Sequence, residues 1–121
     1  MRHFLYRMKA ADPAPTGVGD TATWFKYYKL EDGGETYVPA AEESYDALEG
    51  DLLWFVMDGT VIGYAPILRQ VDDGMNGRLE LWFDSTKYVD ALVRAGDSTW
   101  GTIVPEEQAR LWLDRLAGKK P

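Results

Sequence analysis

The alternation of apolar and polar positions marks strands along much of this chain. From Arg2 to Lys9, Phe4, Tyr6 and Met8 face one way and His3, Leu5, Arg7 and Lys9 the other, the two-residue period of a strand half exposed to water. Pro13, Pro15, Gly17 and Gly19 then interrupt any ladder. That stretch is long for an ordinary connection and predicts a functional or mobile loop. Aromatic-rich Thr23 to Leu30, then Gly33 and Gly34, then Glu35 to Val38 predict a strand, a turn and a strand. Leu52 to Met57 is apolar on both alternating faces, as in a central strand covered on two sides. Asp58 and Gly59 signal a turn, and Thr60 to Arg69 returns as the partner strand, bulged or bent at Gly63 and Pro66. After a further turn over 72–77, Leu79, Leu81 and Phe83 share one face of another strand, with Arg78, Glu80 and Trp82 on the other.

Three short helices are predicted between and after these strands. One follows Pro39 and stops at Gly50; a second is capped by Asp84 or Ser85 and runs through Tyr88, Ala91, Leu92 and Ala95 to Gly96. The third starts at Pro105, Glu106 and Glu107, lines up Ala109, Trp112, Leu113 and Leu116, and ends by Gly118. Between the second and third, Thr99 to Val104 reads as a short strand carrying Trp100. The expectation is one α+β domain over 1–121: a small, curled, mostly antiparallel β-barrel of about five or six strands, flanked by three short helices.

Composition narrows the partners. The 121 residues are 45% hydrophobic and contain no cysteine, which removes disulfides, zinc-thiolate sites and thiol nucleophiles and makes a reducing cytoplasm the expected location. No apolar run reaches the ~20 residues that cross a bilayer, so no membrane partner is expected. The net charge of −7 divides unevenly: +3 up to Lys29, −9 from Leu30 to Leu68, and −1 from Arg69 onward. A small basic region therefore stands beside a strongly acidic one, and the total alone does not exclude a nucleic-acid partner.

Signatures of phosphate-cradling loops, nucleophile elbows and paired-histidine zinc sites are missing. The one histidine, His3, reads as a strand residue, no metal or cofactor is expected, and a non-enzymatic role is favoured. The acid pairs Glu42–Glu43, Asp72–Asp73 and Glu106–Glu107 lie at helix starts or turns, where dipole complementation or solvation explains them. Aromatics are the positive signal: five Trp, seven Tyr and four Phe exceed the needs of one small core. Trp24, Tyr28, Trp82 and Trp100 fall near loops or on polar faces, and a ring beside a cation, as with Trp24 and Lys26, offers a nucleobase ~1–3 kcal/mol of stacking.

The run Tyr45-Asp46-Ala47-Leu48-Glu49-Gly50-Asp51-Leu52-Leu53-Trp54-Phe55, followed by Asp58-Gly59-Thr60-Val61-Ile62-Gly63-Tyr64-Ala65, resembles the PUA-like superfamily, especially its ASCH and EVE branches. The resemblance extends loosely from Arg2 to Phe83 and is good from Leu48 to Leu68. It implies a pseudo-barrel with a cleft between barrel and helices, where related families hold RNA or a flipped, modified base. By analogy the cleft here is walled by Lys9 and the loop leading into Trp24, with Trp82 or Trp100 nearby. The leading reading is a module that binds a nucleobase, nucleotide or modified base, in RNA or DNA, among Lys9, Trp24, Lys26, Tyr28, Trp82 and Trp100. One alternative is that the acidic 30–68 region docks on a basic protein surface in imitation of nucleic-acid charge. Another is an ASCH-type nucleoside amidohydrolase, for which Lys26, Thr23 and Glu35 are the right residue types without a spacing that fixes them. The Trp-rich motif that follows the first strand in EVE domains has no counterpart here.

Overall fold

The computed structural model describes residues 1–121 apart from 16, 18, 32, 41–45, 74–77, 95–102 and 117–121. Its centre is β3 (Leu52–Met57), whose side chains from Leu52 to Val56 are all buried. Leu53 and Phe55 enter one apolar cluster with Phe4, Phe25, Ile67, Leu81 and Phe83. Leu52, Trp54 and Val56 enter a second, on the other side of the sheet, with Leu5, Val61, Val93 and Trp112. A strand without a polar face stabilises the fold only if both faces are covered, at ~1.5–3 kcal/mol per large side chain buried.

β1 (His3–Met8) runs parallel to β3 and antiparallel to the two-residue β7 (Ile103–Val104). It is thus an interior strand, and His3, Phe4, Leu5 and Met8 are buried, which corrects the expectation of a half-solvated one. Asp58 and Gly59 both take positive φ, the geometry of a tight hairpin turn, and lead into β4 (Thr60–Asp73). β4 pairs along its first half with β3 and, on residues 67–73, with β5 (Arg78–Asp84). β2 (Glu35–Ala40) completes that end by pairing with β5. β6 (Val89–Arg94) pairs with the first half of β4. The order is β2-β5-β4-β3-β1-β7 with β6 beside β4. Register shifts at Phe55/Val56, Val61/Gly63 and Ile67/Arg69 curl the sheet, as bulges do. It does not close: seven strands form an open, mixed sheet among the described residues, where five or six in a barrel were expected.

Two expected elements have the other secondary structure. Thr23 to Leu30 is not a hairpin strand: α1 (Thr21–Trp24) continues into a π-helical segment (Phe25–Leu30). Asp20 caps α1, its carboxylate accepting from the Thr23 backbone N–H at 2.7 Å. Conversely, the helix expected from Asp84 is a single 3-10 turn (Ser85–Lys87), capped by Asp84, and then β6. Its alternate residues Ala91 and Val93 are buried while Asp90, Leu92 and Arg94 are exposed. Of the helix expected after Pro39, residues 39 and 40 instead end β2, 46–50 form coil and turn, and 41–45 fall outside the described residues. The last helix is as expected: α2 (Glu106–Leu116) lays Ala109 and Trp112 on the second cluster. Two helices, the first continued by a π-helical segment, and a separate 3-10 turn therefore stand where three helices were expected among the described residues.

The Gly50–Asp51 step acts as a clasp between strands. Gly50 has φ 92° and its N–H donates to the Ile67 carbonyl at 3.0 Å. The buried Asp51 carboxylate accepts from the backbone N–H of Arg2 at 2.9 Å and of Leu48 at 3.0 Å, with the Arg2 guanidinium 3.7 Å away. Burial raises the proton affinity of this carboxyl, but those two N–H groups and Arg2 outweigh it and hold its pKa below the usual value. The expected loop over 11–20 is tied down by the Pro13–Asp20 bridge and by Thr21, whose hydroxyl donates to the carbonyls of Asp12 and Pro13.

Candidate functional site

The curl of β4 and the helical segment at 21–30 leave a groove of about 480 Å³ between them. Ala22, Phe25, Lys26 and Leu30, at positions i, i+3, i+4 and i+8 of the helical segment, form one wall. Met57, Ile62, Tyr88, Asp90, Ala91 and Leu92 form the opposite side, from β3, β4, the residue after the 3-10 turn and β6. The lining is largely apolar, with a single ammonium and a single carboxylate from Lys26 and Asp90. Proteins commonly build small-ligand sites this way, with apolar walls that desolvate the ligand and a few charges that orient it.

Tyr88 shapes the floor. Its ring lies edge-on to Phe25 at 6.1 Å and over Gly63, and its hydroxyl donates to the Ile62 carbonyl at 3.0 Å. Burial, with the Asp90 carboxylate adding to it, pushes the Tyr88 hydroxyl well above its ordinary pKa, so it stays neutral and hydrogen-bonded. Tyr6, deeper in the same cluster, is pushed up to about 12 by burial and donates to the Pro39 carbonyl. Neither hydroxyl is set up as a nucleophile, and among the described residues no group of three His, Asp or Glu could hold a metal.

A second concentration of rings lies on the outer face of β2 and β5. Tyr37 and Trp82 tilt against each other at 4.9 Å, with Lys29 Nζ 4.4 Å above Tyr37 and the Arg69 guanidinium 4.7 Å above Trp82. The acids of this face are engaged: Glu35 pairs with Arg69 at 2.9 Å, and Glu80 accepts from the Trp82 indole N–H at 3.2 Å. Burial pulls the pKa of Lys29 down, with Glu80 opposing. The stack is a ladder of cation and ring contacts closed by its own carboxylates.

The residues singled out from sequence separate accordingly. Lys26 lines the groove, its Nζ 5.3 Å over the Tyr27 ring. Trp24 does not present a face there; at 2% exposure it belongs to the core beside Phe25, with Lys29 Nζ 5.3 Å above its ring. Helix rather than strand is the reason, since adjacent residues of α1 and its continuation turn inward together. Tyr28 is 60% exposed and Lys9 exposed at the end of β1, and neither lines the groove. Trp82 stands on the outer face, and Trp100 lies outside the described residues. Sequence reasoning missed Phe25, Tyr88 and Asp90; the Asp20 cap and the alternation Asp90, Leu92, Arg94 were the signals that would have found them.

The other two readings gain no assembled site. Glu35 is held by Arg69 on the outer face, whereas Lys26 lines the groove, so the Lys26, Thr23 and Glu35 set is divided. Within 30–68, Glu35, Asp51 and Asp58 serve their own chain, Asp58 by accepting from the Ala10 N–H at 3.3 Å. Glu42 and Glu43 lie outside the described residues. No helix among the described residues is long and apolar enough to cross a membrane. Comparison with protein-family models, with curated proteins and with solved structures found no match for this chain.

Proposed function

We propose that this chain is a binding module of PUA-like type that takes a nucleobase, nucleoside or modified base into the groove beside Lys26. The observation that carries this reading is the groove of about 480 Å³, walled by Phe25, Leu30 and Ile62 and bordered by one cation and one carboxylate. A planar heterocycle has an apolar face that gains from such walls and a polar edge that pairs with Lys26 and Asp90. The curl of the sheet, the helical segment following β1 and the Gly50–Asp51 step into β3 support the PUA-like reading. Charge favours a base or a ligand with few phosphates: Lys9, Lys26 and Lys29 fall in the +3 segment, but the −7 total repels a long backbone.

The test is isothermal titration with nucleosides, nucleoside monophosphates and short single-stranded RNA and DNA at low salt. Saturable binding by a member of the panel is expected, abolished by Ala22→Trp, which fills the groove, weakened by Lys26→Ala, and unchanged by Trp82→Ala on the outer face. Heat from no member of the panel, or binding that survives Ala22→Trp and disappears with Trp82→Ala, overturns the assignment.

A further inference from the structure

β6 pairs with a single strand, β4, among the described residues. Ala91 and Val93 enter the cluster under α2, so Asp90, Leu92 and Arg94 share the opposite, exposed face. Leu92 is 83% exposed, the highest value among the large apolar residues exposed on the described surface. An exposed leucine in the middle of a strand whose second edge has no partner among the described residues is a template for adding another strand. None of the ion pairs Arg2–Asp51, Arg69–Glu35 and Arg110–Glu106 engages Asp90 or Arg94.

The spacing of those three residues selects the added strand. In antiparallel pairing, residues directly opposite each other share a face and interact, and opposite charges there are favourable. With a two-fold axis through Leu92, Leu92 lies opposite Leu92 of a second copy. Asp90 lies opposite the second copy's Arg94, and Arg94 opposite its Asp90. Sliding the register by two residues in one direction sets Asp90 against Leu92, and by four sets Asp90 against Asp90. The sequence of β6 is therefore self-complementary in one register, which is the requirement for an isologous interface. We infer that two copies of this chain associate through β6, joining their sheets edge to edge around a two-fold axis at Leu92.

The patch is small, and each copy carries −7, so the association belongs to the weak class, with a dissociation constant on the order of 10–100 µM. Ionic strength of 0.15 M screens the global repulsion beyond ~8 Å while leaving the facing pairs in contact. Asp90 and Leu92 also line the groove, so the two readings share residues, and sedimentation of the chain without ligand tests the association separately.

Sedimentation equilibrium of the unaltered chain from 5 µM to 1 mM at 0.15 M salt is expected to show a monomer–dimer equilibrium. Leu92→Asp, Asp90→Arg and Arg94→Asp should each weaken it at least tenfold while leaving the circular dichroism spectrum unchanged, because all three side chains are exposed. Mixing the Asp90→Arg chain with the Arg94→Asp chain should restore dimers, since each then meets opposite charges, and the doubly exchanged chain should dimerise alone. A chain that stays monomeric to 1 mM overturns the inference. So does a dimer unaffected by the single exchanges, or a mixture of the two single variants that stays monomeric; a strand of another protein would then be the candidate for this edge.

Discussion

Gly63 sits beneath the Tyr88 ring, where an added Cβ would stand 2.7 Å from Cε2 and nearer still to Cζ and the hydroxyl oxygen. Carbon atoms rest at about 3.5–4.0 Å, so Gly63→Ala forces the ring outward by about 1 Å or more. That displacement breaks the 3.0 Å bond to the Ile62 carbonyl and spoils the contact with Phe25. Overpacking of a filled site costs about 1–3 kcal/mol and a lost hydrogen bond about 1, so a loss of about 2–4 kcal/mol is expected. Urea titration followed by tryptophan fluorescence measures it as a lower midpoint at constant slope. In a Tyr88→Ala background the obstruction is gone and Gly63 is simply a glycine in a strand. There Gly63→Ala should be neutral or stabilising by about 0.5–1 kcal/mol. The sign reversal is the essential result. If the alanine costs less than about 0.5 kcal/mol in the unaltered chain, or the same in both backgrounds, Tyr88 does not sit on Gly63 as described. Because Tyr88 floors the groove, the same substitution should also weaken any ligand found there.

Asp51→Ala leaves the N–H groups of Arg2 and Leu48 without their acceptor and should cost about 2–4 kcal/mol by urea denaturation. The depressed pKa of Asp51 means its contribution is present above the ordinary carboxylate value of 3.8 and is lost as pH falls through the lower folded value; stability curves below pH 4 should flatten in the variant. His3 acts in another window. Its Nδ1 accepts the Trp54 indole N–H at 3.2 Å, and burial holds its pKa below 6.5, Glu106 opposing. The folded chain thus binds fewer protons than the unfolded one below pH 6.5, and stability should fall from there toward the folded pKa; comparing urea midpoints at pH 7.5 and 5.5, His3→Phe should lessen the drop. Trp112→Ala removes the ring that meets Trp54 edge-on at 5.1 Å and should cost about 3–5 kcal/mol in the same assay, with loss of helical circular dichroism from α2.

Local chemistry determined what could be read along the chain. Two-sided apolarity placed β3, positive-φ residues placed the turn at Asp58 and Gly59, and Pro105 with Glu106 and Glu107 placed the start of α2. These features hold wherever the rest of the chain goes, because their backbone preference and their burial demand agree. At 21–30 the two disagreed: aromatic residues suit a strand, but the Asp20 cap and the inward pair Trp24 and Phe25 made a helix. At 88–94 docking against β4 decided for a strand, since only alternation buries Ala91 and Val93 while exposing Leu92. Tertiary structure alone also decided that β1 lies parallel to β3 and that the sheet of the described residues remains open. The groove belongs to that second category entirely, for it draws on residues 22–30, 57, 62 and 88–92. No window of sequence contains it, and its shape depends on a ring from one segment resting where another segment has no side chain.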